Sequence, residues 1–223
     1  MNPYDATTHV TESPPPTPHS LGDPPCPTPK LVAVEEARVC AALAALADGP
    51  QYRAKEALEV VPNEAGLYAV HGDLLAVGDL AAGAAGRPLY VGKAERSLLG
   101  RDLRTHFATG KTGSSTLRRT LAALLREPLE LRAVPRNLAR PDGSANYSLE
   151  SSGDERLTEW MHARLRLSVW VRPDGVVLDE VETAMLNALQ PPLNLAKMGS
   201  LGDRRIKAAR AAMAEEARAW REA

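Results

Sequence analysis

Aromatic side chains are scarce in this chain: one Phe, three Trp and five Tyr, or 4% of 223 residues. Any core must therefore be built mainly from Leu, Val and Ala. A surface that stacks successive bases, as single-strand binders use, has little to work with. Cysteine is scarcer still, with Cys26 in a Pro-rich segment and Cys40 on an expected helix. Two isolated thiols form neither a disulfide framework nor a zinc pattern, so a reducing, cytoplasmic setting is expected. No apolar run approaches the roughly 20 residues that cross a bilayer, so no membrane association is expected. The N-terminus lacks the basic-then-apolar order of a secretory signal. Excess charge is also missing: the net charge is −1. That argues against a protein that binds nucleic acid over its whole surface.

Charge is present but unevenly spread. Residues 1–63 carry 4 Lys/Arg against 8 Asp/Glu, whereas residues 87–140 carry 12 against 4. A local surplus of this size is what contact with phosphates needs, although an Arg-rich solvated surface has the same composition. At 44% hydrophobic residues, the chain can bury one core of moderate size.

Punctuation divides the chain. Residues 1–29 are dense in Pro with Thr, Ser and Asp between, and are expected to form a disordered tail. Residues 30–63 form an N-terminal helical extension, in which Val32, Val39, Leu43 and Leu46 mark a helix over 31–47. Residues 66–70 and 89–92 are short apolar runs bounded by turn residues, hence strands that pair antiparallel. Residues 74–77 are expected to extend a hairpin across His71-Gly72-Asp73, and 78–86 to form a small-residue loop. A helix over 97–107 is capped by Ser97, and Ser114 or Ser115 caps the next. Residues 129–134 suggest a short strand and 135–153 a polar loop. Ser152-Gly-Asp-Glu155 has the form of a capping box opening a helix. A strand over 167–171, a helix over 179–189 stopped by Pro191-Pro192, and an amphipathic helix over 204–220 complete the order. The fold class is α+β: a small three-stranded, mainly antiparallel sheet flanked by helices, with extra terminal helices.

Several residues have side chains suited to phosphodiester chemistry. Tyr68 and Tyr90 fall on adjacent strands, where two phenols can share one face and orient or deprotonate a water. Taken singly, each also reads as an ordinary strand aromatic. Gly92 permits close backbone approach, and Lys93 offers a point charge. Arg101 and Arg104 lie three apart on one helix, with His106 beyond them, and an Arg there can fork onto a phosphate. Glu182 suits a Mg²⁺ ion that keeps most of its waters, but Asp179-Glu180-Val181-Glu182 also has the spacing of a capping box. Asn194, after Pro191-Pro192-Leu193, either locks a turn or supports a ligand.

Order and spacing connect these residues. Gly66-Leu67-Tyr68 resembles the first motif of the GIY-YIG nuclease family and Tyr90-Val91-Gly92-Lys93 the second. Arg101, Glu182 and Asn194 are similar to the Arg, Glu and Asn that follow in that family, the last two separated by twelve residues. The likeness covers about residues 64–197. It implies a catalytic domain over 64–200, with 135–165 as an insertion and 201–223 as a terminal helix. It also implies a metal-dependent endonuclease acting on DNA, with RNA left open. In that reading Tyr68, Tyr90, Arg101 and Glu182 are catalytic, while Gly92, Lys93, Arg104, His106 and Asn194 hold substrate. One Mg²⁺ or Mn²⁺ ion sits on Glu182. The eleven-residue interval from Tyr90 to Arg101 is one longer than is usual in the family, which keeps Arg104 as the alternative. Two other functions compete: a non-catalytic nucleic-acid-binding module, and a protein that pairs with a partner or with itself through its Ala-rich terminal helices.

Overall fold

The computed structural model describes residues 29–82, 86–137, 146–195 and 204–221, with backbone only for 29–34 and 101–103. The expected tail lies outside the described residues, apart from Pro29, which opens the first helix. In chain order the elements are α1 (Pro29–Ala47), α2 (Ala54–Val60), β1 (Gly66–Gly72), α3 (Leu74–Leu80) and β2 (Tyr90–Ala94). A π-type turn (Leu99–His106) and a 3-10 turn (Thr112–Ser114) lead into α4 (Thr116–Leu124). Then come β3 (Ala133–Pro135), β4 (Tyr147–Leu149), α5 (Ser151–Arg164), β5 (Leu165–Val171), α6 (Leu178–Leu189) and α7 (Arg204–Ala219).

The architecture is the expected α+β fold. β1 is the central strand of a three-stranded antiparallel sheet in the order β2-β1-β5. Its residues Gly66–His71 are buried because helices cover both faces, and the polar one, His71, meets Ser168. Leu67 and Ala69 point with Val91 and Trp170 into a core lined by Ala42 and Leu46 of α1 and Val181 and Met185 of α6. Tyr68 and Val70 point the other way, with Tyr90, into a second core that includes Leu117 and Leu121 of α4 and Met213 of α7. The period of two along each strand decides which side chain joins which core.

Both edges of the sheet are covered. Tyr52 exchanges two backbone hydrogen bonds of 2.8 Å with Leu167 of β5. On the β2 edge, Leu193 N donates to Leu89 O at 2.9 Å, and Asn194 mimics a strand with its side chain: Oδ1 accepts from Val91 N at 2.9 Å and Nδ2 donates to Val91 O at 2.7 Å. These bonds occupy part of each edge's outward backbone.

Local chemistry corrects several expected elements. Residues 74–77 do not extend a hairpin; they begin α3, because Asp73 Oδ1 accepts from Ala76 N at 2.8 Å and caps a helix. The four apolar residues carried no period that separates strand from helix. Ser152 does not cap α5. That helix starts at Ser151, and Asp154 turns inward, 2% exposed, to meet Arg118. The strand expected at 129–134 shrinks to Ala133–Pro135, since Leu125–Leu131 is a run of turns in which Glu130 has φ 50°. The polar stretch after it contains β4, which pairs antiparallel with β3. Among the described residues, no helix is long and apolar enough to cross a membrane.

Candidate active site

Tyr68 and Gly92 face each other across the β1–β2 register, and Val70 faces Tyr90. All four side-chain positions therefore share one face, and the two tyrosine rings lie 6.2 Å apart. A Cβ added to Gly92 would stand 2.4 Å from Tyr68 Oη. Glycine is thus required at 92, because the phenol lies across the strand where any side chain would be. Gly66 is required for a different contact: its Cβ would stand 2.2 Å from Trp170 O on β5.

The tyrosines open onto a cleft of about 620 Å³ lined by Tyr68, Tyr90, Gly92, Lys93, Arg96, Thr105 and Glu182, among others. Glu182 reaches it from α6, half-buried. The helix begins with Leu178 after Val177, so Glu182 lies beyond its first turn and does not occupy the capping position that the sequence offered. Asp179 instead accepts a 2.8 Å hydrogen bond from Lys93 Nζ. Lys93 also meets Glu95 at 2.8 Å, and the two hydrogen bonds, with Asp179 first, hold its ammonium above the ordinary lysine pKa. Its charge is thereby largely balanced within the rim of the cleft.

His106 and Asn194 stand behind the cleft. His106 is 0% exposed. Its Nε2 lies 2.6 Å from Tyr68 Oη, and its Nδ1 lies 2.6 Å from Ser115 Oγ. Asn194, 7% exposed, holds the backbone of Val91 between the two motif residues Tyr90 and Gly92. Arg104 is exposed and does not line the cleft. The side chain of Arg101 lies outside the described residues; its backbone belongs to the π-type turn, whose Gly100 and Thr105 border the cleft.

A buried polar network continues inward from His106. Ser115 Oγ, besides meeting His106, accepts from Arg118 N at 3.0 Å as the cap of α4. Arg118 is fully buried. Its Nη2 meets Asp154 Oδ2 at 2.9 Å and Thr158 Oγ1 at 2.9 Å, its Nε donates to Thr112 Oγ1 at 3.1 Å, and its Nη1 donates to His106 O at 3.2 Å. Asp154 additionally accepts from Gly110 N and Thr112 Oγ1. Burial pushes the Arg118 pKa down, and the Asp154 charge opposes this. Every charged atom of the pair has partners, which is what makes such burial tolerable. The chain of contacts from Asp154 to Tyr68 Oη fixes one imidazole face against the phenol.

Sequence reasoning missed Arg118, Asp154 and Arg96. One signal was available for Arg118: with Leu121, Ala122 and Leu125 it occupies the apolar stripe of α4, where a charge demands a buried partner.

Metal chemistry rests on few donors. Among the described residues, no group of three or more His, Cys, Asp or Glu is placed to hold an ion. One carboxylate on an open cleft fits a hydrated Mg²⁺ or Mn²⁺ completed by substrate oxygens, and does not fit an all-protein cage.

A family model described as the GIY-YIG catalytic domain matches residues 84–212, more than half of the chain. The match includes Tyr90, Gly92, Glu182 and Asn194 and begins after β1, so Tyr68 stands before it. No curated protein and no solved structure matches the chain.

Proposed function

The chain belongs to the GIY-YIG superfamily of nucleases, and from that premise we propose that it is a metal-dependent endonuclease that hydrolyses phosphodiester bonds in DNA. The observation that carries this reading is the meeting of two strand tyrosines and the α6 carboxylate Glu182 around one open cleft.

In the proposed mechanism the scissile phosphate lies in the cleft between the tyrosines and Glu182. A water beside Tyr68 attacks phosphorus, and the bond from phosphorus to the leaving sugar oxygen breaks as that oxygen takes a proton from solvent. As the attack proceeds, Tyr68 Oη takes a proton from the water and passes its own to His106 Nε2, 2.6 Å away. This transfer needs the tautomer in which His106 Nδ1–H donates to Ser115 Oγ. Ser115 is oriented for that role by the Arg118 amide. Tyr90 positions the water or the phosphate from the same face. Arg101, with Arg104 as the alternative and Arg96 at the rim, contributes positive charge toward the phosphoryl oxygens. Asn194 keeps β2 straight under Tyr90 and Gly92. Glu182 would hold one Mg²⁺ or Mn²⁺, which when bound supplies Lewis-acid stabilisation of charge on the phosphate.

The test is cleavage of labelled duplex, nicked, flapped and single-stranded DNA, and of RNA, with Mg²⁺, Mn²⁺ or chelator, beside Glu182→Gln. Metal-dependent cutting that is lost in the variant supports the reading and identifies the substrate class. Cutting that survives in a folded Glu182→Gln protein removes the metal from Glu182. Binding without cutting of any substrate favours the non-catalytic module.

A further inference from the structure

Two consecutive arginines on α4 have opposite surroundings. Arg118 is neutralised by Asp154 at 2.9 Å. Arg119 is nearly as buried, at 7% exposed, yet no carboxylate pairs with it among the described residues. Its Nη1 donates to Gly113 O at 2.9 Å and its Nη2 to Thr116 Oγ1 at 3.3 Å, while its buried Nε has no hydrogen-bond partner. The charges acting on it are largely of its own sign. Burial and then Arg210 depress its pKa, and Arg136 adds to this, with partial relief from Tyr147 and Tyr90.

The fold brings these three guanidiniums together from distant parts of the sequence. Arg136 follows β3 and runs past Gly113, where an added Cβ would stand 3.1 Å from its Cγ. Arg210 comes from α7, which packs on α4 and β3. Tyr147 Oη donates to Arg119 O at 2.5 Å and so ties β4 to the same place. Arg136 is exposed and Arg210 half-buried, so the cluster has a solvent side. Crowding like charges that have no carboxylate partner among the described residues is unfavourable, and a bound anion relieves it.

We propose that Arg119, Arg136 and Arg210 form a binding site for a backbone phosphate of the nucleic acid other than the scissile one. The site rests on the nuclease reading for its ligand and on the arginine geometry for its existence. Arg119 is the fixed floor and Arg136 and Arg210 the approachable arms, so β3–β4 and α7 serve substrate binding rather than decorate the sheet.

The test uses the full chain with Arg136→Gln/Arg210→Gln, which leaves buried Arg119 in place, and with Arg218→Gln as an exposed control elsewhere on α7. Three quantities are measured: melting temperature in low-salt buffer with and without inorganic phosphate, affinity for a labelled DNA duplex, and the salt dependence of that affinity. The double variant should melt at or above the parent without phosphate, and should lose the rise that phosphate gives the parent. Its duplex affinity should fall by about tenfold or more, since hydrogen bonds to charged groups are the strong ones. The slope of log affinity against log salt should shrink by about one to two. Arg218→Gln should change none of these. A lower melting temperature with unchanged affinity and slope would overturn the site and make the arginines structural. A parent that cuts DNA while the double variant keeps its slope sinks the site and leaves the nuclease standing. A parent that binds duplex through the arginines and never cuts does the reverse.

Discussion

The two faces of β1 differ by one residue of register and by nearly everything else. Leu67 and Ala69 look into an apolar layer between the sheet, α1 and α6, whose polar pair, His71 and Ser168, is satisfied locally at 2.9 Å. Tyr68, on the opposite face, meets His106, and behind it lies a network that ends in a buried Arg–Asp pair. Both faces bury apolar side chains, and the Tyr68 face carries the larger apolar cluster. Among the described residues, only that face adds a buried network of charged groups, in which Arg118 and Asp154 are paired and Arg119 Nε has no partner. The difference teaches that the cleft residues are supported by desolvated, hydrogen-bonded groups that a simpler apolar packing would have omitted. Such groups are expected where a phenol must be held at one proton-transfer geometry.

The largest effect should separate the faces directly. Tyr68→Phe is expected to lower the cleavage rate per folded molecule by about 10²–10⁴-fold, the usual worth of a positioned acid–base group, and to cost about 1–3 kcal/mol of stability because buried His106 Nε2 loses its phenol partner. Leu67→Ala, its neighbour on the other face, is expected to cost about 2–5 kcal/mol of stability and to leave the rate per folded molecule unchanged. Rate and denaturation measurements on both variants check the contrast, and a Leu67→Ala rate loss as large as that of Tyr68→Phe would abolish it.

Asp154→Ala should destabilise the protein by about 3–5 kcal/mol, because it strands a buried guanidinium. Chemical denaturation measures this, and a loss under 1 kcal/mol would mean that Arg118 finds water instead. Asn194→Ala should cost about 1–3 kcal/mol, since Val91 N–H and C=O lose buried partners together. Hydrogen exchange of the Val91 amide, faster in the variant than in the parent, is the local readout.

The smallest effect concerns pH and the apolar face. Burial lowers the His71 pKa below its ordinary 6.5, partly opposed by a hydrogen bond to the Leu46 backbone. The unfolded chain therefore takes up a proton more readily than the folded one below that value. Stability from this group is fully present above pH 6.5 and is lost as the pH falls toward the lowered folded value. Melting temperatures measured from pH 7.5 down to pH 5 should decline less steeply in His71→Gln than in the parent. Equal slopes would show that other groups govern acid sensitivity.

Much of this molecule was legible before folding. The strands announced themselves by short apolar runs, and the tyrosines by their place in those runs. α6 was marked by the prolines that stop it. Where local signals were ambiguous, local hydrogen bonds chose. Asp73 capped α3 where a hairpin was expected, while the non-local pair of Asp154 with Arg118, 36 residues apart, could not be read from the capping-box pattern. His106 was legible as a residue near the site but not as the partner of Tyr68, because that contact spans 38 residues and depends on how the π-type turn rests on the sheet.

Sequence alone determined the alternation that sets Tyr68 and Leu67 on opposite faces, since a strand has a period of two wherever it lies; the β1–β2 register then put Tyr90 on the Tyr68 side. The same register set Gly92 opposite Tyr68, where the phenol leaves no room for a side chain. Tertiary structure decided which charges are spent inside the molecule and which remain for a substrate. Arg118 and Arg119 are adjacent and chemically identical, but a helix turns neighbouring residues by about 100°. One therefore meets the carboxylate of α5, and the other meets arginines arriving from β3 and α7.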